Sequence, residues 1–184
     1  MPEARPTPLL VLGLGNLLCS DDGLGVIAVH HLLRRLTPPP GVRVLDGGTL
    51  GLSLLPHLED AETAILVDAI RADGPPGSLV RLEGEDVPPA VSARLSPHQV
   101  GVADLLDAAR WRLRSPARLL LLGVVPETLT LGLGLSPRVA AALPALLERV
   151  VAEAAGLGHV FSEKGADDAL PGDSPALLAH ACGL

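Results

Sequence analysis

The sequence predicts an α/β protein built around an open sheet, and three observations carry that expectation. Short apolar runs, each ended by glycine or an acid, alternate with segments of helical spacing. Hydrophobic residues make up 48% of the chain but aromatics only 1%, so the core must be leucine, valine and alanine. At 184 residues the chain fits one domain with a sizeable core.

Residues 9–30 organise the rest. Residues 9–12 are a short apolar run of the length expected for a strand buried on both faces. The run breaks at Gly13-Leu14-Gly15-Asn16, and two acids, Asp21 and Asp22, follow. After Gly23 and Gly25 the spacing becomes helical at Val26, Val29, Leu33 and Leu36. Strand, glycine turn, acidic loop and helix place the acids at a strand's carboxyl end, where open α/β sheets bind ligands. A dinucleotide fingerprint would need a third glycine at the position of Leu18, and a pyrophosphate would face both acids, so spacing and charge oppose it.

The first helix stops at Thr37-Pro38-Pro39-Pro40-Gly41. Residues 42–45 form the second strand, running into Asp46-Gly47-Gly48-Thr49, and residues 50–58 a helical segment interrupted or kinked at Pro56. Residues 63–67 are the third strand, ending directly in Asp68. Residues 69–77 are too short and too rich in proline and glycine for a crossover helix, so residues 78–82 are expected to pair antiparallel. Residues 83–93 are polar and proline-bearing and are expected on the surface. Ser96 suits an N-cap and Pro97 the first helical position, which puts His98 in the opening turn of a helix through Leu105, Leu106 and Ala109. A helix N-terminus disfavours imidazolium and so favours a neutral, ligand-competent histidine. Residues 117–122 are the fifth strand. Ser136-Pro137 opens a last helix with apolar face Val139, Leu143, Leu146, Val150 and Ala154 and an expected kink at Pro144. Gly156-Leu157-Gly158 closes a domain spanning residues 1–158, and residues 159–184 are expected to form a loosely ordered tail.

A net charge of −7, with basic residues clustered only at Arg110-Trp111-Arg112-Leu113-Arg114, argues against a nucleic-acid partner. No apolar run approaches the roughly 18 residues of a membrane span, and the opening MPEARPTP has neither a basic nor an apolar signal region. A cytoplasmic protein with no membrane partner is expected. Cys19 and Cys182 form no C-x-x-C pair and read as free thiols.

Asp22, Asp68 and His98 share the strand-end rim. Two carboxylates and an imidazole form a mixed oxygen and nitrogen donor set, suited to a borderline divalent metal such as nickel or zinc with open positions for water or substrate. Each also has an ordinary explanation: a helix cap, a turn cap and a partly buried N-terminal residue. His30, His31, His57, His159 and His180 read as structural or exposed. A cysteine hydrolase using Cys19 with His98 is a further reading, opposed by acids that should raise a thiol pKa.

In chain order, the motifs GLGNLL-x-x-DDG-x-G at residues 13–25, DGGT-x-G at 46–51, Val67-Asp68-Ala69, Ser96-Pro97-His98-Gln99 and Gly123-Val124-Val125-Pro126-Glu127 resemble the hydrogenase maturation endopeptidases. The resemblance covers residues 9–156 and is closest to the branch that processes large subunits of membrane-bound or uptake nickel-iron hydrogenases. It implies a three-layer αβα sandwich with a mainly parallel five-stranded sheet. The implied activity is a single cut removing the C-terminal extension of the nickel-iron hydrogenase large-subunit precursor once nickel is in place. By the same resemblance Asp22, Asp68 and His98 match the nickel-binding and catalytic positions, with nickel met on the substrate. The first is Glu in some members and Asp in others. Peptidyl-tRNA hydrolases share the Gly-Leu-Gly-Asn turn, but theirs continues with proline where Leu17 stands here. A non-enzymatic nickel-dependent chaperone of the same precursor would keep the same three residues.

Overall fold

The structure is a computed structural model that describes residues 7–92 and 97–164, without the side chains of residues 92 and 97–100. The chain runs β1 (Thr7–Leu14), α1 (Leu24–Arg35), β2 (Leu36–Thr37), β3 (Val42–Gly48), α2 (Leu55–Glu59), β4 (Ala61–Ala69), β5 (Leu79–Glu83) and α3 (Val87–Ser92). It continues with α4 (Pro97–Trp111), β6 (Arg118–Val124), α5 (Pro137–Gly156) and β7 (Ser162–Glu163). Single 3-10 turns lie at Ser20–Gly23, Gly51–Leu54 and Gly84–Asp86.

Five strands form one sheet in the order β3-β1-β4-β6-β5. The pairs β3·β1, β1·β4 and β4·β6 are parallel, and β5 lies antiparallel on β6. The mainly parallel α/β fold is therefore the one expected, including the antiparallel edge that the short connection after β4 enforces.

Alternation along the strands divides the core into two layers. Leu9, Val11, Ile65, Val67, Leu120 and Leu122 face α1 and α5. Leu10, Leu12, Ala64, Leu66 and Leu121 face α2, α3 and α4. The same alternation sends Asp68 to the α4 side. Fully buried leucines dominate both layers, each contributing about 2 kcal/mol of burial. Among the described residues no helix is long and apolar enough to cross a membrane.

Three expectations need correction. Residues 83–93 are not purely surface: Val87 and Val91, four apart on α3, are fully buried against the α4 layer despite the prolines between them. The 50–58 segment is a 3-10 turn followed by α2, with Pro56 in the opening turn of the helix, where its missing N–H costs nothing. The chain beyond residue 158 also stays with the domain for some distance. Phe161 is buried in the α1/α5 layer, β7 pairs antiparallel with β2, and Lys164 N–H donates to Arg35 O at 3.0 Å. Residues 165–184 lie outside the described residues. Pro144 sits inside α5, which continues unbroken to Gly156.

Helix α1 sits tightly on the ends of β1 and β4. A Cβ added at Gly25 would lie 2.0 Å from Val67 O and 2.4 Å from Leu14 O, and one at Gly13 would lie 2.3 Å from Gly25 O. Only glycine permits this approach. Gly25→Ala is therefore expected to cost about 3 kcal/mol or more in urea unfolding, as overpacking against rigid backbone does. Gly156→Ala, with nothing within 4 Å of the added carbon, should leave the midpoint unchanged or slightly raised.

Candidate active site

The site is assembled where the parallel strands end. Beyond β1 the chain turns at Gly15, whose φ is +127°, and a Cβ there would fall 1.8 Å from Asp22 O. The glycine turn and the Ser20–Gly23 turn thus pack backbone to backbone. Asn16 N–H donates to Asp22 Oδ2 at 3.1 Å, while Asn16 Oδ1 accepts Leu18 N–H at 3.0 Å. Asp22 is buried, 1% exposed. Ser20 adopts a φ of +52°, uncommon for a residue with a side chain, so the turn is held by its surroundings rather than by local preference.

Strand β4 delivers the second carboxylate. Asp68 is fully buried, stands opposite Gly123 of β6, and its Oδ1 accepts Ala69 N–H at 2.8 Å. A Cβ at Gly123 would sit 2.5 Å from Asp68 O, so that glycine is required for the two strands to carry Asp68 at this point.

His98 occupies the second position of α4, in its opening turn as expected. Its side chain and the Ser96 cap lie outside the described residues. Three residues on, Gly101 rests against Gly51 of the turn following β3; a Cβ at Gly101 would lie 3.1 Å from Gly51 Cα. This close approach fixes the start of α4 at the carboxyl end of the sheet. The three residues named from the sequence therefore come from three elements that meet at one end of the fold. Among the described residues, no group of three His, Cys, Asp or Glu side chains could by itself hold a metal ion.

Asp21 has a different task, which the sequence did not reveal. It is fully buried, and its carboxylate accepts four hydrogen bonds from the connection between β6 and α5. Glu127 N–H and Thr128 N–H donate to Oδ2 at 2.8 and 2.9 Å, Ser136 N–H to Oδ1 at 2.6 Å, and the Ser136 hydroxyl to Oδ2 at 2.9 Å. Ser136 is the N-cap residue of the 20-residue helix α5, so the carboxylate also faces the positive end of that helix. A second seam runs beside it. Cys19 and Gly132 form a parallel bridge, with Ser20 N–H donating to Gly132 O at 2.9 Å and Gly132 N–H to Leu18 O at 3.0 Å. The Gly-Val-Val-Pro-Glu motif is thus the segment that Asp21 ties to the acidic turn. Beside it lies an open depression of about 350 Å³ lined by Arg71 and residues 125–129.

His30 and His31 lie on α1 and His57 on α2. Asp46 pairs at the surface with His30, Nε2 to Oδ2 at 2.8 Å. His31 is half-buried, and desolvation with Arg34 and Arg35 nearby lowers its pKa, so it stays neutral at pH 7. His57 Nδ1 contacts Arg43 Nη1 at 3.1 Å. Cys19 is a free, partly buried thiol, and Cys182 lies outside the described residues.

Removing the Asp21 carboxylate would strand buried backbone donors on two loops at once. Asp21→Ala should lower stability by about 3 kcal/mol or more in chemical denaturation. Ser136→Ala, which deletes one of the four donors and leaves the others, should cost about 1 kcal/mol in the same measurement.

Comparison with known proteins agrees with this geometry. Residues 26–153 match the family profile described as hydrogenase maturation protease. The hydrogenase 2 maturation protease of Escherichia coli is 41% identical over 145 residues, covering 78% of this chain and 88% of that protein. The hydrogenase expression/formation protein HupD of Rhodobacter capsulatus is 40% identical over 155 residues, covering 83% and 74%. The solved structure of the hydrogenase maturating endopeptidase HybD from E. coli superposes with a TM-score of 0.81 at 37% identity, covering 88% of this chain and 99% of that one. A peptidase fold with buried aspartates at its strand ends and relatives of this closeness lead to one conclusion: the chain belongs to the hydrogenase maturation protease family and is a peptidase.

Proposed function

We propose that this peptidase removes the C-terminal extension of a nickel-iron hydrogenase large-subunit precursor after nickel insertion, and that the nickel carried by the precursor is its recognition signal. The observation that carries the reading is the pair of buried carboxylates, Asp22 in the turn that follows β1 and Asp68 near the end of the neighbouring parallel strand β4. Burying ionised carboxylates is costly, and an arriving divalent cation offsets that cost. Asp22 and Asp68 supply oxygen donors and His98 a nitrogen donor, a set that suits nickel and leaves positions for the ligands the precursor brings.

Discrimination follows from a difference in affinity. A precursor without nickel would present a neutral or anionic segment to two carboxylates, whereas a loaded one presents a cation. Asn16 and Ala69 hold one oxygen of each aspartate through backbone N–H groups, so the carboxylates keep their orientation as the substrate docks. With the precursor so anchored, one carboxylate can take a proton from the attacking water, and the nickel, when bound, supplies positive charge beside the reacting carbonyl.

The test is the mass of the large subunit after incubation of nickel-loaded and nickel-free precursor with the protein. Wild type should release one C-terminal fragment from the loaded precursor only. Asp22→Ala, Asp68→Ala and His98→Ala should each slow release by roughly 100-fold or more, beyond the ~10–100-fold typical of groups one step removed from a metal. Cys19→Ala should cut at the wild-type rate, and its inactivity would move the reaction to the thiol. Equal cutting of both precursors would sink the nickel-gating claim.

A further inference from the structure

Among the described residues, the end of the sheet that carries the site also carries most of the exposed leucines. Leu17 and Leu18 follow β1, Leu50 and Leu52 follow β3, and Leu131 and Leu133 lie in the β6–α5 connection. All six are exposed, Leu131 at 87% and Leu133 at 71%. Backbone hydrogen bonds hold these three loops side by side. Gly15 N–H donates to Gly48 O at 3.1 Å, joining the first loop to the end of β3 from which the second departs, and the Cys19–Gly132 bridge joins the first to the third.

Such a cluster is unfavourable on a free surface and marks a place where another apolar surface is covered. It is also presented on fixed backbone, because Asp21 pins residues 127, 128 and 136 from inside. Leucines on pinned loops lose little backbone freedom on binding, which favours affinity. A peptidase must seat a protein substrate across the mouth of its site, and Leu17 and Leu18 stand in the very loop that runs from Asn16 to Asp22.

We infer that the six leucines form an apolar docking rim that grips nonpolar side chains of the large-subunit precursor around its metal-bearing segment. The inference rests on the function proposed above for the substrate's identity. It assigns binding to the rim and leaves the chemistry to the buried residues. The loops therefore govern how tightly the precursor is held rather than how fast the bond is cut.

The experiment compares wild type, the double variant Leu131→Ser with Leu133→Ser, and Leu113→Ser. Leu113 is 92% exposed but precedes β6, at the opposite end of the sheet, and serves as the control. With nickel-loaded precursor the double variant should raise KM roughly tenfold or more with kcat within about twofold, and the control should change neither. Binding of uncut loaded precursor, followed by calorimetry, should weaken in parallel. An unchanged KM and affinity for the double variant, or an equal loss for Leu113→Ser, would overturn the docking rim. If wild type binds the precursor without cutting it, the peptidase reading of this substrate fails, and weaker binding by the double variant still supports the rim. If wild type neither binds nor cuts it, both proposals fall.

Discussion

A buried carboxylate with four donors, Asp21, is the interaction on which the site depends. It is tolerable in the interior only because backbone N–H groups from two points of a distant connection, a serine hydroxyl and the start of α5 all converge on it. In satisfying that charge the chain ties the loop after β1 to the loop after β6, across the strand β4 that lies between them. Its neighbour Asp22 is then fixed by the same turn. Two adjacent acids differ in their partners: Asp21 fastens the connection before α5, and Asp22 is held by Asn16 in the turn after β1.

Close backbone contact does the rest of the positioning. Gly13 and Gly25 let α1 settle onto β1 and β4, Gly15 lets the acidic turn touch the strand end, and Gly51 with Gly101 sets the opening of α4. Each contact involves main chain that cannot move aside as a side chain would. The rim therefore presents a fixed geometry, and the six exposed leucines ride on loops whose backbone is already committed. Rigid loops around buried donors suit the nickel-dependent discrimination proposed for this peptidase.

The sheet was legible in the sequence because its strands are apolar runs with clean ends. Residues 9–12 and 63–67 lie within β1 and β4, and the proline and glycine run at 74–77 announced the antiparallel edge. Asp68 stood out as an acid ending a strand and Asp22 as an acid in the loop after one, and both are buried. The division between Asp21 and Asp22 was not legible, since Asp21 finds its donors more than a hundred residues away, at a separation of 106 for Glu127. The helix Val87–Ser92 was masked by Pro88 and Pro89, which suggest a loop although they fall in a first turn that accepts them. Phe161, the single phenylalanine, was read with a tail because nothing local shows that it returns to the α1/α5 layer.

The central claim is that the nickel of the precursor is taken up by Asp22, Asp68 and His98. X-ray absorption at the nickel edge tests it most directly, on the loaded precursor alone and on its complex with the wild-type protein, the precursor being altered at the scissile bond so that it is bound but not cut. The account predicts added oxygen and nitrogen scatterers in the first shell on complex formation, reduced in number when Asp68→Asn is used instead. An identical nickel spectrum in the free precursor and in a demonstrated complex would contradict it, and would leave the two buried aspartates as groups that act on the peptide bond without touching the metal.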